Sequence, residues 1–142
     1  MIEVKVVTTK EELDQAFTVR KIVFIDEQNV PEDLEIDDLE STSIHFLAKK
    51  DDQAVGAGRV RELEGYGKIE RICVLKEMRG QQVGVAIMNC IEQYIQSNMK
   101  LPAGKLEAQV HAIPFYEKLG YEVCSEEFMD AGIPHRMMKK VF

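Results

Sequence analysis

Few residues in this 142-residue chain suit a disulfide framework or a zinc site. Its cysteines, Cys73, Cys90 and Cys124, are odd in number, widely spaced and set among apolar residues, and its three histidines are scattered. Disulfide-stabilised folds need paired cysteines, and zinc sites need closely spaced ligands. The sequence therefore predicts reduced, buried thiols and no metal site.

Long apolar runs are also missing. No run approaches the roughly 20 residues that a membrane-spanning helix requires. The opening residues, MIEVKVVTTKEEL, do not follow the pattern of a secretory signal, because acidic residues interrupt a short apolar run. We expect a cytoplasmic protein with no membrane partner.

An excess of positive charge is absent as well. The chain has 18 Lys and Arg against 25 Asp and Glu, which gives a formal net charge of −7. Non-specific binding to nucleic acid depends on Lys and Arg that neutralise phosphates, so we expect no nucleic-acid partner. An acidic surface suits a cationic partner such as an amine, although many proteins are acidic for solubility alone.

The residues that are present describe one ordinary globular domain over residues 1–142, with 45% hydrophobic and 30% charged residues and no internal repeat. Alternating apolar residues predict strands, and apolar residues three and four apart predict helices. The predicted strands span residues 2–6, 44–49, 54–62, 68–75, 105–110, 121–124 and 135–142. The predicted helices span residues 9–23, 83–99 and 113–119, the first opened by a capping box at Thr9 and Glu12.

A long acid-rich segment follows the first helix, from Asp26 to Ser41. Loops of this length in compact domains are often functional. Its carboxylates could attract an amine, or they could form a solvated loop with at most one or two ligand contacts. They are Asp26, Glu27, Glu32, Asp33, Glu35, Asp37, Asp38 and Glu40.

The centre of the chain, from Lys68 to Met99, combines a strand, a glycine loop and a long helix. The alternation predicts two faces for the strand: Ile69, Arg71, Cys73 and Leu75 on one, Glu70, Ile72 and Val74 on the other. The free amides of a helix N-terminus bind anions, glycines such as Gly80 and Gly84 allow close approach, and Arg79 adds a forked donor. The pattern indicates a site for a phosphorylated ligand, but a glycine turn into a core helix would look the same.

Two segments together resemble the GNAT family of N-acetyltransferases. In RICVLKEMRGQQVGVAIM, residues 71–88, a strand precedes a loop similar to the family's Arg/Gln-x-x-Gly-x-Gly/Ala, with Gln82 where the family usually has its first glycine. In HAIPFYEKLGYEV, residues 111–123, the family's Phe-Tyr-x-Lys-x-Gly-Phe/Tyr motif fits throughout. VRKIVFIDEQNVPEDLEIDD and FMDAGIPHRMMKK are similar to a subgroup of small bacterial members.

The resemblance implies an α+β fold with a mixed, mostly antiparallel central sheet of six to seven strands, flanked by helices, in which two central strands splay apart. It also implies acetyl-CoA as cosubstrate, direct transfer of the acetyl group and no metal. The pantetheine arm would contact the backbone of Ile72, Cys73 and Val74. The pyrophosphate would lie on the amides of Arg79, Gly80, Gln81, Gln82, Val83, Gly84 and Val85.

Catalytic roles follow from the same resemblance. Tyr116 matches the tyrosine that commonly acts as general acid, and a phenol can protonate a leaving thiolate at neutral pH. Glu70 is the first candidate for the general base. Each side chain also has a structural interpretation: Tyr116 as a packing aromatic, and Glu70 as the partner of Arg71 or Arg59.

Four further side chains are candidates for contact with the acceptor. His111 and His135 could also accept a proton, although a lone histidine is more often a structural hydrogen bonder and His111 could cap the Tyr116 helix. Glu27 and Asp37 could bind the ammonium. Cys73 lies on the pantetheine strand and so suggests a thiol relay, but its predicted position opposite Glu70 favours packing.

The sequence thus predicts transfer of the acetyl group of acetyl-CoA to a primary amine of a small polar metabolite such as an amino acid, a polyamine or an aminosugar. A protein or peptide acceptor would require a shallow open groove instead. A non-catalytic acyl-CoA-binding module would bind without turnover. A dinucleotide-binding domain fits poorly because the glycine pattern is not G-x-G-x-x-G. A homodimer is suggested by the resemblance, since the C-terminal strand often mediates dimers in this family.

Overall fold

The computed structural model describes all 142 residues, and its eight strands form one sheet. They are β1 (Ile2–Val6), β2 (Ile44–Lys50), β3 (Gln53–Leu63), β4 (Tyr66–Val74), β5 (Ala103–Gln109), β6 (Glu122–Val123), β7 (Phe128–Asp130) and β8 (Ile133–Val141). The order is β1-β2-β3-β4-β5-β8-β6, with β7 paired to β8. Only β4 and β5 are parallel, so the predicted mixed, mostly antiparallel α+β fold is confirmed. The short β7 was not among the predicted strands.

Four α-helices accompany the sheet: α1 (Lys10–Arg20), α2 (Glu32–Glu35), α3 (Val83–Tyr94) and α4 (Ile113–Lys118). The predicted capping box opens α1, because the Thr9 hydroxyl accepts a hydrogen bond from the Glu12 amide at 3.2 Å. Two helices continue as π-helix, α1 through Lys21–Glu27 and α3 through Ile95–Met99. No helix has the length and apolarity that crossing a membrane requires.

Two apolar clusters hold the helices on opposite faces of the sheet. Residues such as Ile87 and Ile91 of α3 pack with Val60 and Ile69 in the larger cluster. The smaller cluster joins α1 to the other face through its buried apolar members, which are Ala16, Val19, Val23, Leu47, Ala57 and Cys73. The sheet therefore separates an α1 side from an α3 side.

Gly58 of β3 lies beneath α3. A Cβ there would stand 2.6 Å from Cδ1 of Ile72 and 3.1 Å from Cδ1 of Ile91. The missing side chain thus makes room for apolar packing between sheet and helix.

A β-bulge at Arg71 corrects the predicted faces of β4. Arg59 pairs with Glu70 and Ala57 pairs with Cys73, so two residues of β4, Arg71 and Ile72, lie opposite one residue of β3. The extra residue reverses the alternation. Cys73 consequently lies on the α1 side with Glu70, and not with Ile69 as the simple period predicted. Arg71 itself has a φ of +61°.

The parallel pair β4–β5 separates soon after it begins. The two strands pair only through Gly67–Gly104, Lys68–Lys105 and Ile69–Leu106. Beyond Ile69, the edge of β4 that faces β5 has no strand partner, while its other edge stays paired with β3. This splay opens a cleft in the middle of the sheet.

Candidate active site

The splayed strands open into a cleft of about 1290 Å³. The floor comes from β4 and β5, and the walls come from residues 23–35, the loop before α3, residues Phe115, Tyr116 and Lys118 of α4 and the start of β8. Of the side chains predicted for the site, all except Gln81 and Asp37 line this cleft. Its volume exceeds that of most sites for a single drug-sized ligand, which suits a large cosubstrate together with an acceptor.

The loop that leads into α3 presents a row of free amides. None of the backbone N–H groups of residues 80–85 donates to a protein acceptor, and the first helical hydrogen bond runs from the Ala86 amide to the Gln82 carbonyl at 3.1 Å. Gly80 and Gln82 both have left-handed backbones, with φ of +82° and +68°. The Arg79 amide is already used, since it donates to the Lys76 carbonyl at 3.3 Å. The arrangement can hold an anion at a helix N-terminus.

The Arg79 guanidinium stands at the exposed rim of the same loop. It donates to both carboxylate oxygens of Glu27, each at 2.7 Å, and its Nε donates to the Val74 carbonyl at 3.1 Å. Arg79 holds the pKa of Glu27 below its usual range. The guanidinium is thus close to the free amides and paired with an acid that was itself predicted to bind the acceptor.

A close contact between α3 and α4 brings Tyr116 to the loop. A Cβ at Gly84 would stand 3.0 Å from Cζ of Phe115, so only a residue without a side chain lets the two helices approach this closely. Phe115 in turn meets Tyr116 edge to face, with ring centroids 5.0 Å apart. The tyrosine is therefore fixed beside the row of amides.

The Tyr116 hydroxyl forms no hydrogen bond with the protein, although the residue is only 9% exposed and lines the cleft. Burial raises the pKa of Tyr116 above its usual value of 10. The phenol therefore stays protonated across the physiological range and can donate a proton into the cleft. The neighbouring Tyr121 differs, because its hydroxyl donates to Glu92 at 2.9 Å.

Glu70 has one engaged carboxylate oxygen and one free one. Its Oε1 accepts from Nε of Arg61 at 2.9 Å and from Nη2 of Arg59 at 3.1 Å, whereas Oε2 accepts from no protein donor. The predicted ion pair with Arg59 is thus present; Arg71 contacts other partners. Burial raises the pKa of Glu70, but Arg61, Arg59 and Lys68 outweigh it and the pKa lies below the usual range.

Asp37 lies outside the cleft. Its two oxygens accept from Nη1 and Nη2 of Arg59 at 2.8 and 2.9 Å, and Oδ2 also accepts from Arg71 at 3.2 Å. Arg59 lowers the pKa of Asp37 to about 2. This carboxylate anchors the acidic segment to the sheet. Gln81, also outside the cleft, accepts a hydrogen bond from Lys50 at 2.8 Å.

The two candidate histidines differ in burial. His111 is exposed, and its Nε2 hydrogen-bonds with Oε1 of Gln109 at 2.7 Å. His135 is buried, and its Nδ1 stands 2.7 Å from the Ile133 carbonyl. A carbonyl only accepts, so Nδ1 carries the proton and Nε2 of the neutral ring is an acceptor.

Cys73 is buried within the α1-side cluster at 5% exposure. Burial raises the pKa of its thiol to about 12. A thiol relay requires a thiolate, and a thiol with this pKa stays protonated at neutral pH. The geometry therefore favours a packing role for Cys73. The reason is the burial of the thiol, and not the predicted position opposite Glu70.

Glu35 was not singled out among the acids of its segment, yet it lines the cleft. It is 2% exposed, and its Oε1 accepts from Nε of Arg20 at 2.7 Å. The sequence distinguishes it from neighbours such as Glu32 by no local signal, because its burial depends on Arg20 from α1. Lys68 and Glu107, which pair at 3.0 Å on the cleft floor, were likewise not predicted.

Comparison with known proteins supplies an independent line of evidence. The family model described as "Acetyltransferase (GNAT) domain" matches residues 8–142. An uncharacterized N-acetyltransferase of Bacillus subtilis, YjcF, is 50% identical over 132 residues, which cover 92% of this chain and 94% of that protein.

Solved structures agree in fold. An acyl-CoA N-acyltransferase from Pseudomonas aeruginosa superposes with a TM-score of 0.88 at 26% identity and covers 99% of each chain. An aminoglycoside 6'-N-acetyltransferase complexed with coenzyme A has a TM-score of 0.78 at 16% identity, over 98% of this chain and 96% of that one.

Proposed function

The chain belongs to the GNAT acetyltransferase family and is an acetyl-CoA-dependent N-acetyltransferase, and we propose that its acceptor is the primary amine of a small polar molecule. One observation supports the position of the cosubstrate. The free amides of residues 80–85 and the unbonded hydroxyl of Tyr116 border the same cleft. A phosphorylated thioester bound on the amides would extend along β4 toward that hydroxyl.

The cosubstrate would be held mainly by backbone groups. The pyrophosphate lies on the amides of residues 80–85, and Arg79 adds its guanidinium from the rim. The pantetheine arm runs along the unpaired edge of Ile72, Cys73 and Val74, where the splay has removed the neighbouring strand. The bound coenzyme A of the aminoglycoside acetyltransferase supports this role for the fold.

The chemistry is a direct acyl transfer. The neutral amine attacks the thioester carbonyl, a C–N bond forms, and the C–S bond breaks as Tyr116 protonates the departing thiolate. The proton lost by the amine passes through water to a base. Positioning the two reactants can contribute roughly 7–11 kcal/mol, and a backbone N–H near Val74 that polarises the carbonyl about 3–4 kcal/mol.

Two side chains are candidates for the base. The lowered pKa of Glu70 keeps its carboxylate ionised, so it can accept hydrogen bonds but is a weak proton acceptor near neutral pH. Nε2 of His135, which also lines the cleft, is the second candidate. We propose that Glu70 orients the amine or a water molecule, and that Glu70 or His135 then accepts the proton. General base catalysis of this kind raises the reaction rate on the order of 10²–10⁴-fold.

A cleft of about 1290 Å³ favours a small acceptor over a protein or peptide, because the latter was expected to need a shallow open groove. The non-catalytic alternative predicts acetyl-CoA binding without turnover. Glutamate-rich walls suit amino acids, polyamines and aminosugars alike. The homodimer stays a prediction that light scattering after gel filtration can test.

The first experiment measures the melting temperature with saturating acetyl-CoA and with NAD or ATP as controls. A ligand at about 100 times its dissociation constant stabilises a protein by about 2.7 kcal/mol, so we expect a clear rise with acetyl-CoA alone. Coenzyme A release is then followed with lysine, 1,4-diaminobutane and glucosamine. Stabilisation without release in any amine mixture would contradict the proposed acceptor class, and the absence of stabilisation would contradict the cosubstrate site.

A further inference from the structure

The acidic segment contributes one carboxylate oxygen that is buried and unpartnered. Glu35 is 2% exposed, its Oε1 is bound to Arg20, and its Oε2 has no hydrogen-bond partner. A buried carboxylate oxygen without a donor is costly, and native proteins rarely retain one unless a ligand or water completes it. Glu35 borders the cleft, so the missing donor can come from a bound molecule.

The other acids of the segment are already engaged or lie elsewhere. Both oxygens of Glu27 accept from Arg79, both oxygens of Glu40 accept from Arg20, and both oxygens of Asp37 accept from Arg59. Only Glu27 and Glu35 of the eight carboxylates line the cleft. Glu35 is thus the one acid of the segment that has an unpartnered oxygen and belongs to the residues lining the cleft.

A second free oxygen lies on the floor of the cleft. Glu70, on β4, also binds guanidinium groups with Oε1 alone. Arg71, its neighbour in sequence, links the floor to the wall that carries Glu35, because its Nε donates to the Glu35 carbonyl at 3.1 Å. Glu107, an acid on the cleft floor, is paired with Lys68 and so does not compete with Glu35 for a ligand's amino group.

Both carboxylates belong to a charge-balanced network of ion pairs. Ion pairs connect four guanidinium groups to four carboxylates in one network; the members are Arg20, Arg59, Arg61, Arg71, Glu35, Asp37, Glu40 and Glu70. Four positive and four negative charges leave the network neutral. Oε2 of Glu35 and Oε2 of Glu70 have acceptor capacity left for N–H groups of a ligand.

We propose that Glu35 is the specificity-determining residue for the acceptor, and that its Oε2 binds a protonated amino group of an alkyl amine, while Oε2 of Glu70 remains available to the attacking amine. This inference rests on the proposed function and deepens it: it selects cationic alkyl amines among small polar acceptors. A di- or polyamine can place one ammonium on Glu35 while its second, neutral amine attacks the thioester. An acceptor with a single amine would bind there before losing its proton.

The test compares Glu35→Gln with Glu40→Gln. Both substitutions remove one carboxylate charge from the partners of Arg20, but only Glu35 lines the cleft. With the best acceptor among 1,4-diaminobutane, lysine and glucosamine, we expect Glu35→Gln to raise the KM for the amine about ten- to a hundredfold, since a charge-assisted hydrogen bond is lost. The kcat, the KM for acetyl-CoA and the acetyl-CoA thermal shift should stay near wild type. Glu40→Gln should change melting temperature alone.

Equal amine KM values in wild type and Glu35→Gln would overturn the inference while the proposed function stands. Failure of wild type to acetylate any of the three amines would overturn both. Because Glu35→Gln could fold poorly, a crystal structure of wild type with coenzyme A and the same amine provides a second measurement. A nitrogen within 3.2 Å of Oε2, roughly the hydrogen-bond limit, supports the proposal; water alone on Oε2, with the amine elsewhere, refutes it.

Discussion

Arg79 binds both carboxylate oxygens of Glu27, each at 2.7 Å, at the rim of the cleft. The pair joins the π-helical end of the α1 segment to the loop that precedes α3. Both residues were predicted for the site, but for different ligands, the pyrophosphate and the acceptor amine. In the structure the two side chains pair with each other, so a pyrophosphate bound by Arg79, as proposed above, would compete with Glu27 for the guanidinium.

Glu27→Gln should therefore tighten acetyl-CoA binding. The substitution removes the competing charge and leaves Arg79 free to meet the pyrophosphate. Exposed ion pairs contribute about 0.2–1 kcal/mol, so we expect a dissociation constant that is lower by up to about fivefold in calorimetric titrations. Glu32→Gln, an exposed acid on α2, is the charge-matched control. Weaker binding by Glu27→Gln would instead mean that Glu27 holds Arg79 in position.

Tyr116→Phe should lower kcat by about a hundredfold or more and leave acetyl-CoA binding unchanged, because it removes the proton donor but not the ring. Tyr121→Phe is the matched control: it breaks the hydrogen bond to Glu92 and should reduce stability but not kcat. Since burial raises the pKa of Tyr116 above 10, ionisation of the phenol should cause no loss of kcat between pH 7 and about 10. A Tyr116→Phe enzyme with a wild-type kcat would show that Tyr116 serves only in packing.

At the bulge, Arg71→Gly should be less destabilising than Arg71→Ala. Both variants lose the guanidinium contacts with the Leu34 and Glu35 carbonyls and with Asp37. They differ at the backbone, because a φ of +61° suits glycine and strains a residue with a Cβ. We expect the free energy of unfolding in urea to be about 1 kcal/mol higher for the glycine variant. Equal free energies of unfolding for the two variants would show that β4 can straighten when the guanidinium is removed.

Acid should weaken the anchor between the acidic segment and the sheet. Arg59 lowers the pKa of Asp37 to about 2, below its ordinary value of 3.8. A lowered folded-state pKa contributes stability that is fully present above the unfolded pKa and lost as pH falls from about 4 to 2. Asp37→Asn should therefore be less stable than wild type at pH 7, and the gap should narrow below pH 4. Thermal melts at several pH values test this, with exposed Asp33→Asn as control. A difference in melting temperature between Asp37→Asn and wild type that stays constant with pH would contradict the prediction.

Much of the site could be predicted from local sequence because its parts are local. A helix N-terminus with free amides follows from the change of apolar period near Val83, and the left-handed backbone at Gly80 follows from a residue without a Cβ. Tyr116 was found through a motif within one short helix. Such features depend on neighbours a few residues away.

The acceptor side was less predictable, since its geometry depends on distant residues. Asp37 was expected in the cleft but is bound by Arg59, 22 positions along the chain. Glu35 was one acid among eight until burial against Arg20 distinguished it. Charged side chains in a long segment have no period that assigns them to a face, so their partners decide their positions.

The sequence alone determined the order of the long strands and helices, the position of the loop that leads into α3 and the family resemblance, because apolar periodicity and motif spacing are local properties of the chain. Only the tertiary structure decided where β4 changes face, which guanidinium each carboxylate meets and which oxygen remains free. A single bulge residue reverses a strand's alternation, and ion-pair partners are chosen across the fold by burial and distance. The linear pattern carries neither kind of information.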